Sequence, residues 1–143
     1  MEEDLELKRL IEERARKIFK NLSSYNVTGN KRKYRGGIVY NLDYTNFDEF
    51  LKEFEIAVVD FWAEWCPPCF ILAPIIEELA SEYTNIGFGK VNFDENREIA
   101  MKYDIMNLPT IIIFKNSRPF DLIVGAVPRE YIEAKILKAK RLN

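Results

Sequence analysis

This 143-residue chain has two cysteines, and they lie close together in the segment Cys66-Pro67-Pro68-Cys69. Their type and spacing make them the strongest candidates for reactive residues. An apolar run at 56–62 precedes them, and apolar residues at helical spacing follow at 71–79. A strand that delivers a C-x-x-C pair to the start of a helix predicts thiol–disulfide redox chemistry. The free N–H groups and positive dipole end of that helix favour the thiolate of the first cysteine, and the second lies one turn away.

The composition is that of a globular protein, with 48% hydrophobic and 31% charged residues and a net charge of −2. So small a net charge creates no global field that favours nucleic acid or an anionic membrane. No apolar run approaches the roughly 20 residues of a membrane-spanning helix, and the charged first residues do not have the pattern of a signal peptide. We therefore expect a cytoplasmic protein with no nucleic-acid or membrane partner. In a reducing compartment, the close cysteine pair indicates catalysis or metal binding.

The N-terminal segment predicts an amphipathic helix over 2–22. Its apolar stripe comprises Leu7, Leu10, Ile11, Ala15, Ile18, Phe19 and Leu22. We expect this stripe to pack on the chain's own domain, on a second copy or on a partner protein; a membrane surface fits less well, because the polar face mixes both charge signs. Polar, glycine-bearing residues at 23–37 predict a linker. The predicted organisation is a helix and linker over 1–36 and a domain over 37–143.

Beyond Gly37 the pattern predicts alternating strands and helices. The predicted strands are 38–42, 56–62, 87–93, 110–114 and 120–124, and the predicted helices lie near 47–54, 67–83, 96–103 and 128–141. Because the first part is βαβ winding and the end is an antiparallel hairpin, we expect a three-layer α/β/α domain with a mixed central sheet. In the last helix, Tyr131, Ile132, Ile136 and Leu137 are expected to face inward.

Several separated segments resemble the thioredoxin family. They are 59–66 with Pro68 and Cys69, then Pro74, 90–96, Tyr103-Asp104-Ile105, Leu108-Pro109-Thr110, Phe114-Lys115-Asn116 and Val124-Gly125-Ala126. The resemblance covers residues 37–141, and an ordered set of motifs is far more specific than one C-x-x-C. It implies the thioredoxin fold and a dithiol oxidoreductase that reduces protein disulfides. The implied partners are a thioredoxin reductase and disulfide-containing target proteins, with no cofactor beyond the redox-active disulfide.

The resemblance also implies roles for single residues. Cys66 resembles the family's exposed nucleophile, and Cys69 the buried thiol that resolves the mixed disulfide. Asp60 resembles the buried carboxyl beneath the pair, and Lys90 the lysine that tunes its charge. Since the chain has no histidine, a desolvated carboxylate with a raised pKa is a reasonable proton acceptor for Cys69. The alternatives are a hydrogen-bonded strand-end carboxylate for Asp60 and a surface lysine for Lys90.

A contact patch around the dithiol is implied as well. Leu108-Pro109 resembles the family's cis-proline step, where a substrate strand pairs with the backbone; the alternative is a trans proline that opens a strand. The patch would comprise Trp65, Met106, Asn107, Leu108, Pro109, Gly125 and Ala126. Trp62 is expected to be a packing residue beside it.

The sequence departs from the family's pattern close to the cysteines. The usual dipeptide between them is Gly-Pro, whereas here it is Pro67-Pro68, which removes one N–H, stiffens the loop and tunes the potential. This dipeptide also resembles the tryparedoxin-like branch. Phe70 stands where many members carry lysine, so a cation is lost and the apolar patch is larger. Asn107 and Ser117 stand where glycines are usual.

Two other functions stay open from the sequence. A protein disulfide oxidase or isomerase shares the fold and differs in redox potential; the lack of a secretion signal argues against it. A metal-binding or scaffold module is possible in principle, because one C-x-x-C supplies half of a four-cysteine zinc site that a dimer completes. Asp60 and Pro109 have no role in that second alternative.

Overall fold

The computed structural model describes residues 2–22 and 33–141 and separates the chain into two units, Met1–Lys33 and Tyr34–Asn143. In the first unit, helix α1 spans Glu2–Leu22, as predicted. Acidic residues begin this helix and basic residues end it, which the helix dipole favours. The side chains described in α1 are those of residues 5–15. The side chains at the predicted stripe positions Ile18, Phe19 and Leu22 fall outside this range, and the linker residues 23–32 lie outside the described residues.

The second unit contains strands and helices close to the predicted ranges. They are β1 (Val39–Leu42), α2 (Phe47–Glu53), β2 (Ile56–Trp62), α3 (Pro67–Glu82), β3 (Gly87–Asn92), α4 (Arg97–Lys102), β4 (Thr110–Lys115), β5 (Arg118–Val124) and α5 (Arg129–Arg141). The turn between β4 and β5 has positive φ at Asn116 and Ser117, 52° and 68°. A left-handed conformation at both central residues is the geometry of a tight hairpin, so Ser117 occupies a position that favours glycine.

The strands form one mixed sheet in the order β1-β3-β2-β4-β5. Strands β1 and β2 run parallel to β3, whereas β4 runs antiparallel to β2 and to β5. This arrangement confirms the predicted mixed sheet. Strand β2 lies in the centre and is buried along its length except at Trp62, so the loop after its carboxyl end starts from a rigid support.

The sheet carries helices on both faces, with a separate apolar cluster on each. Helices α2 and α4 pack on one face, and α3 and α5 pack on the other. Because side chains alternate along a strand, Val59 and Phe61 belong to the α2/α4 cluster while Val58 belongs to the α3/α5 cluster. The same alternation places Asp60 on the face that α3 covers.

The buried stripe of α5 differs from the prediction. Ile132 and Ile136 are buried as expected, and Ala139 is the third buried residue. Tyr131 and Leu137 are exposed, so the prediction that they face inward is wrong. The spacing 132–136–139 gives a narrow stripe against the sheet, and each wrongly assigned residue lies next to a buried isoleucine in the chain.

Tyr34 is buried, although the sequence places it in a polar segment. Its ring packs edge-on against Tyr40 and Phe50, with centroids 5.0 and 5.4 Å apart. Its backbone N–H donates a hydrogen bond to the carboxylate of buried Glu53 at 3.2 Å. These contacts anchor the segment that leads into β1.

Candidate active site

The loop after β2 places the cysteine pair at the start of α3. Cys66 is the N-cap residue, and Pro67 and Pro68 occupy the first turn, where a missing N–H breaks no helical hydrogen bond. Cys66 and Cys69 form a disulfide. The backbone N–H of Cys69 also donates to the Cys66 carbonyl at 3.1 Å. The pair therefore lies where the helix end favours a thiolate on Cys66.

Both cysteines are buried in this disulfide form. Cys66 is 4% exposed and Cys69 is 2% exposed, so the prediction that Cys66 is exposed is wrong for the oxidised protein. The two pack against each other and Ala63, and Trp62, Phe93 and Leu108 pack around this cluster. So little of the disulfide faces solvent that a reacting partner has to fit closely around it.

Asp60 is a buried carboxyl on the sheet face that α3 covers. Its Oδ1 atom has no hydrogen-bond partner among the described residues. Burial raises the pKa of Asp60 to about 7, and the positive charge of Lys90 counters part of this rise. Lys90 is also the register partner of Asp60 on the neighbouring strand β3. A carboxyl with a pKa near 7 can accept or release a proton at neutral pH.

Trp62, at the end of β2, contacts two residues singled out from the sequence. The Lys90 Nζ atom lies 5.4 Å from its ring centroid. The Phe70 ring lies 6.3 Å away at 74°, an edge-on contact. Trp62 is half-buried, and its Nε1 atom has no hydrogen-bond partner in the described part of the chain. Phe70 is exposed beyond it, so the apolar surface extends from the dithiol along the first turn of α3.

Two loops meet beside the cysteines. The Leu108–Pro109 peptide bond is cis, and Leu108 packs against the cysteine cluster. The Gly125 N–H donates to the Pro109 carbonyl at 2.8 Å. Gly125 has a φ of +97°, a conformation that favours glycine. The predicted patch residues Met106, Asn107 and Ala126 are exposed on these same loops.

Trp65 is held by a residue to which the sequence assigned no role. Its exposed indole donates a hydrogen bond from Nε1 to the Asp94 Oδ2 atom at 2.7 Å. Asp94 also accepts a hydrogen bond from Arg97 at 3.4 Å. Strands β2 and β3 are parallel, so the loops after their carboxyl ends are neighbours. This predicted topology is the signal from which Asp94 could have been found. Phe93, in the same loop, packs against the cysteine cluster.

The thioredoxin family model matches residues 38–138. The chain belongs to the thioredoxin family. It has the thioredoxin fold and is a protein-disulfide oxidoreductase, and the Cys66–Cys69 pair fits the C-x-x-C active site of the family. Helix α1 lies outside the matched residues.

Known thioredoxins are similar to this chain over most of the second unit. The chloroplastic M-type thioredoxin of Spinacia oleracea is 43% identical over 102 residues, which cover 70% of this chain and 56% of that relative. A thioredoxin of Staphylococcus haemolyticus is 44% identical over 60% of this chain and 83% of its own length. A chain in the crystal structure of ferredoxin:thioredoxin reductase with thioredoxin f2 is 29% identical, with a TM-score of 0.69; the match covers 73% of this chain and 97% of that one.

The described residues were also free to form a metal cluster or a membrane-spanning helix, and they form neither. Within residues 2–22 and 33–141, no three His, Cys, Asp or Glu side chains are grouped to hold a metal ion. None of the helices in these ranges is both long and apolar enough to cross a membrane.

Proposed function

We propose that this thioredoxin reduces disulfides in target proteins and that a thioredoxin reductase returns it to the dithiol form. The observation that carries the proposal is the Cys66–Cys69 disulfide at the start of α3, on the face of the sheet that holds a buried carboxyl with a pKa near 7. A dithiol in this position favours thiolate formation on its first cysteine. The buried carboxyl supplies a base for the second.

The proposed reaction has two thiol–disulfide exchanges. The Cys66 thiolate attacks one sulfur of the target disulfide, forms a mixed disulfide and releases the first target thiolate. The Asp60 carboxylate then accepts the proton of the Cys69 thiol. The Cys69 thiolate attacks the Cys66 sulfur, which forms the Cys66–Cys69 disulfide and releases the second target thiolate. Two electrons pass to the target, and its two thiolates take up protons from Asp60 and from water.

The contact patch predicted around the dithiol is proposed as the docking surface. Leu108 packs against the cysteines, and the exposed residues before it, Met106 and Asn107, leave this edge open to an extended target strand. Such a strand would pair with the backbone of Leu108. The patch residues are Trp65, Met106, Asn107, Leu108, Pro109, Gly125 and Ala126. Support comes from the packing of their loops at the cysteines and from the exposure of Trp65 and Met106.

Recycling requires an electron donor that binds near the same disulfide. A similar chain was solved with ferredoxin:thioredoxin reductase, which supports a reductase of some kind as the donor for this protein. With electrons supplied by the reductase, no cofactor besides the disulfide is needed. We place the reaction in the cytoplasm. The proposed partners are target proteins and not nucleic acid or membranes, because a net charge of only −2 creates no global field that favours them.

The redox potential tests the direction of the reaction. We expect a value near that of thioredoxin, about −270 mV, and not the roughly −120 to −180 mV of oxidases and isomerases. The measurement is equilibration of the Cys66–Cys69 pair with glutathione and dithiothreitol buffers. A Pro67→Gly variant, measured in parallel, isolates the effect of the second proline. A wild-type potential near −120 mV would contradict the proposal and favour a disulfide oxidase.

Phe70 tests the extent of the docking surface. Its exposed ring is expected to bury against an apolar target, a contact of about 1 kcal/mol. Phe70→Ala should therefore raise the KM for insulin about fivefold while kcat changes little. The matched control is Met101→Ala, since Met101 is also exposed but lies on α4, on the opposite face of the sheet. Equal KM values for the two variants would restrict the docking surface to the loops.

A further inference from the structure

Helix α1 presents large apolar side chains to solvent. Leu7, Leu10 and Ile11 share one face of the helix and are 58%, 52% and 58% exposed. A single amphipathic helix in water gains most of its stability from packing that face. The thioredoxin family match begins after the helix, so the shared fold of the family gives this face no role.

The charges of α1 are segregated along its length. Residues 2–12 carry five acidic and two basic side chains, whereas residues 13–22 carry four basic and one acidic. The two halves therefore have opposite net charges of similar size. Such a helix is electrostatically complementary to a copy of itself that runs in the opposite direction.

We propose that α1 pairs antiparallel with α1 of a second copy of this chain, which makes the protein a dimer. The antiparallel orientation sets the acidic half of each helix against the basic half of the other. A parallel pair would instead oppose like charges at both ends, which is destabilising. An anionic membrane is a poorer occupant, because the acidic half would face its headgroups.

The dimensions of α1 suit this pairing. A helix of 21 residues is about 31 Å long, which is enough for the apolar face to extend over several turns. Ala15, a small residue in the predicted stripe, lies about two thirds of the way along this length. A small side chain at that position lets two helices approach to about 8–10 Å between their axes. The apolar face supplies the attraction, and the charges select the orientation.

The first test measures the mass of the full chain by sedimentation at about 100 µM, where a complex with a micromolar Kd is formed. The expected mass is twice the 16.9 kDa of one chain. The Leu7→Glu/Ile11→Glu double variant should be monomeric. Arg9→Glu makes the same change in net charge at an exposed position on the other side of α1 and should remain dimeric. A monomeric wild type, or a dimeric double variant, overturns the proposal.

The second test uses charge reversal to establish the orientation. One variant changes Glu2, Glu3, Asp4 and Glu6 to lysine, and a second changes Arg14, Arg16, Lys17 and Lys20 to glutamate. In an antiparallel dimer each should raise the Kd at least about tenfold at low salt, because like charges then face each other. The chain that combines both sets should recover most of the affinity. A parallel pair predicts no recovery, because like charges oppose each other in every version.

Insulin reduction separates this proposal from the proposed function. All of these α1 variants leave the cysteines, Asp60 and the docking loops unchanged. Their activity per chain should therefore equal that of the wild type. For the monomeric variants, the expected result is a loss of dimerisation with full activity. If the redox proposal fails, the wild type itself will not reduce insulin, and the masses measured by sedimentation will be unaffected.

Discussion

Cys66→Ser should reduce the rate of insulin reduction by dithiothreitol to that of dithiothreitol alone. A serine hydroxyl does not form the nucleophilic anion near neutral pH that a thiolate at a helix start does. The assay follows insulin precipitation at equal protein concentrations. A Cys66→Ser variant as active as the wild type would contradict the assignment of the nucleophile and the function that rests on it.

Cys69→Ser is the matched variant, because it removes the other sulfur and leaves the first exchange intact. It should also lose turnover, but it should accumulate a mixed disulfide between Cys66 and the target, since no thiol remains to resolve it. Mass spectrometry under non-reducing conditions detects this complex. The Cys66→Ser variant should form none. A complex formed by the Cys66→Ser variant and not by the Cys69→Ser variant would reverse the roles of the two cysteines.

Asp60→Asn should stabilise the oxidised protein strongly at alkaline pH and only slightly at acid pH. The folded pKa of Asp60, about 7, exceeds the unfolded value of about 3.9. Between these values the folded state holds a proton that the unfolded state has released, so wild-type stability falls as the pH rises through this window. The full loss is about 4 kcal/mol above pH 7. Asparagine carries no charge to desolvate and avoids this loss.

Urea unfolding at pH 4, 6 and 8 measures the stability effect. The exposed residue Asp48 provides the control: Asp48→Asn should show no comparable gain at pH 8. The same stability difference between Asp60→Asn and wild type at all three pH values would show that Asp60 does not titrate as described. A gain confined to pH values above 4 would support the raised pKa.

The same variant should slow turnover. Without the carboxylate, the Cys69 thiol loses its proton acceptor, and general-base catalysis of this kind contributes about 100-fold or more. The rate deficit should be larger near pH 7 than near pH 9, where hydroxide is a more abundant alternative proton acceptor. Single-turnover kinetics with a target disulfide should show the mixed disulfide persisting at pH 7. Unchanged kinetics at pH 7 would remove Asp60 from the mechanism.

Much of the fold was predictable because each strand and helix has its own hydrophobic pattern. The apolar run of β2 and the proline pair at the start of α3 are local patterns, and each correctly predicts the element that the folded protein has there. The orientation of single residues beside a buried one was less predictable. Tyr131 and Leu137 are neighbours of Ile132 and Ile136, and a helical period does not resolve such adjacent positions. Tyr34 is buried by aromatic contacts from other segments, which its polar neighbours conceal.

The sequence motifs identified the candidate site residues, but they did not predict which other residues contact them. The burial of Cys66 depends on Leu108 and Phe93, which arrive from two distant loops. The Trp65–Asp94 hydrogen bond spans 29 residues of sequence. Both features arise where the ends of adjacent strands meet, so they depend on the sheet order and not on any local pattern.

The sheet order also bears on how the chain folds. The β4–β5 hairpin joins Lys115 to Arg118, so it closes a short loop. The parallel pairings are far from local: Val39 pairs with Phe88 and Asp60 with Lys90. Pairing between such distant segments is slow. Strands β1 and β2 gain a parallel neighbour only when β3 pairs with them, because β3 lies between them in the sheet. During synthesis on the ribosome, the strand that leads to the dithiol therefore stays unpaired until residues 87–92 have emerged.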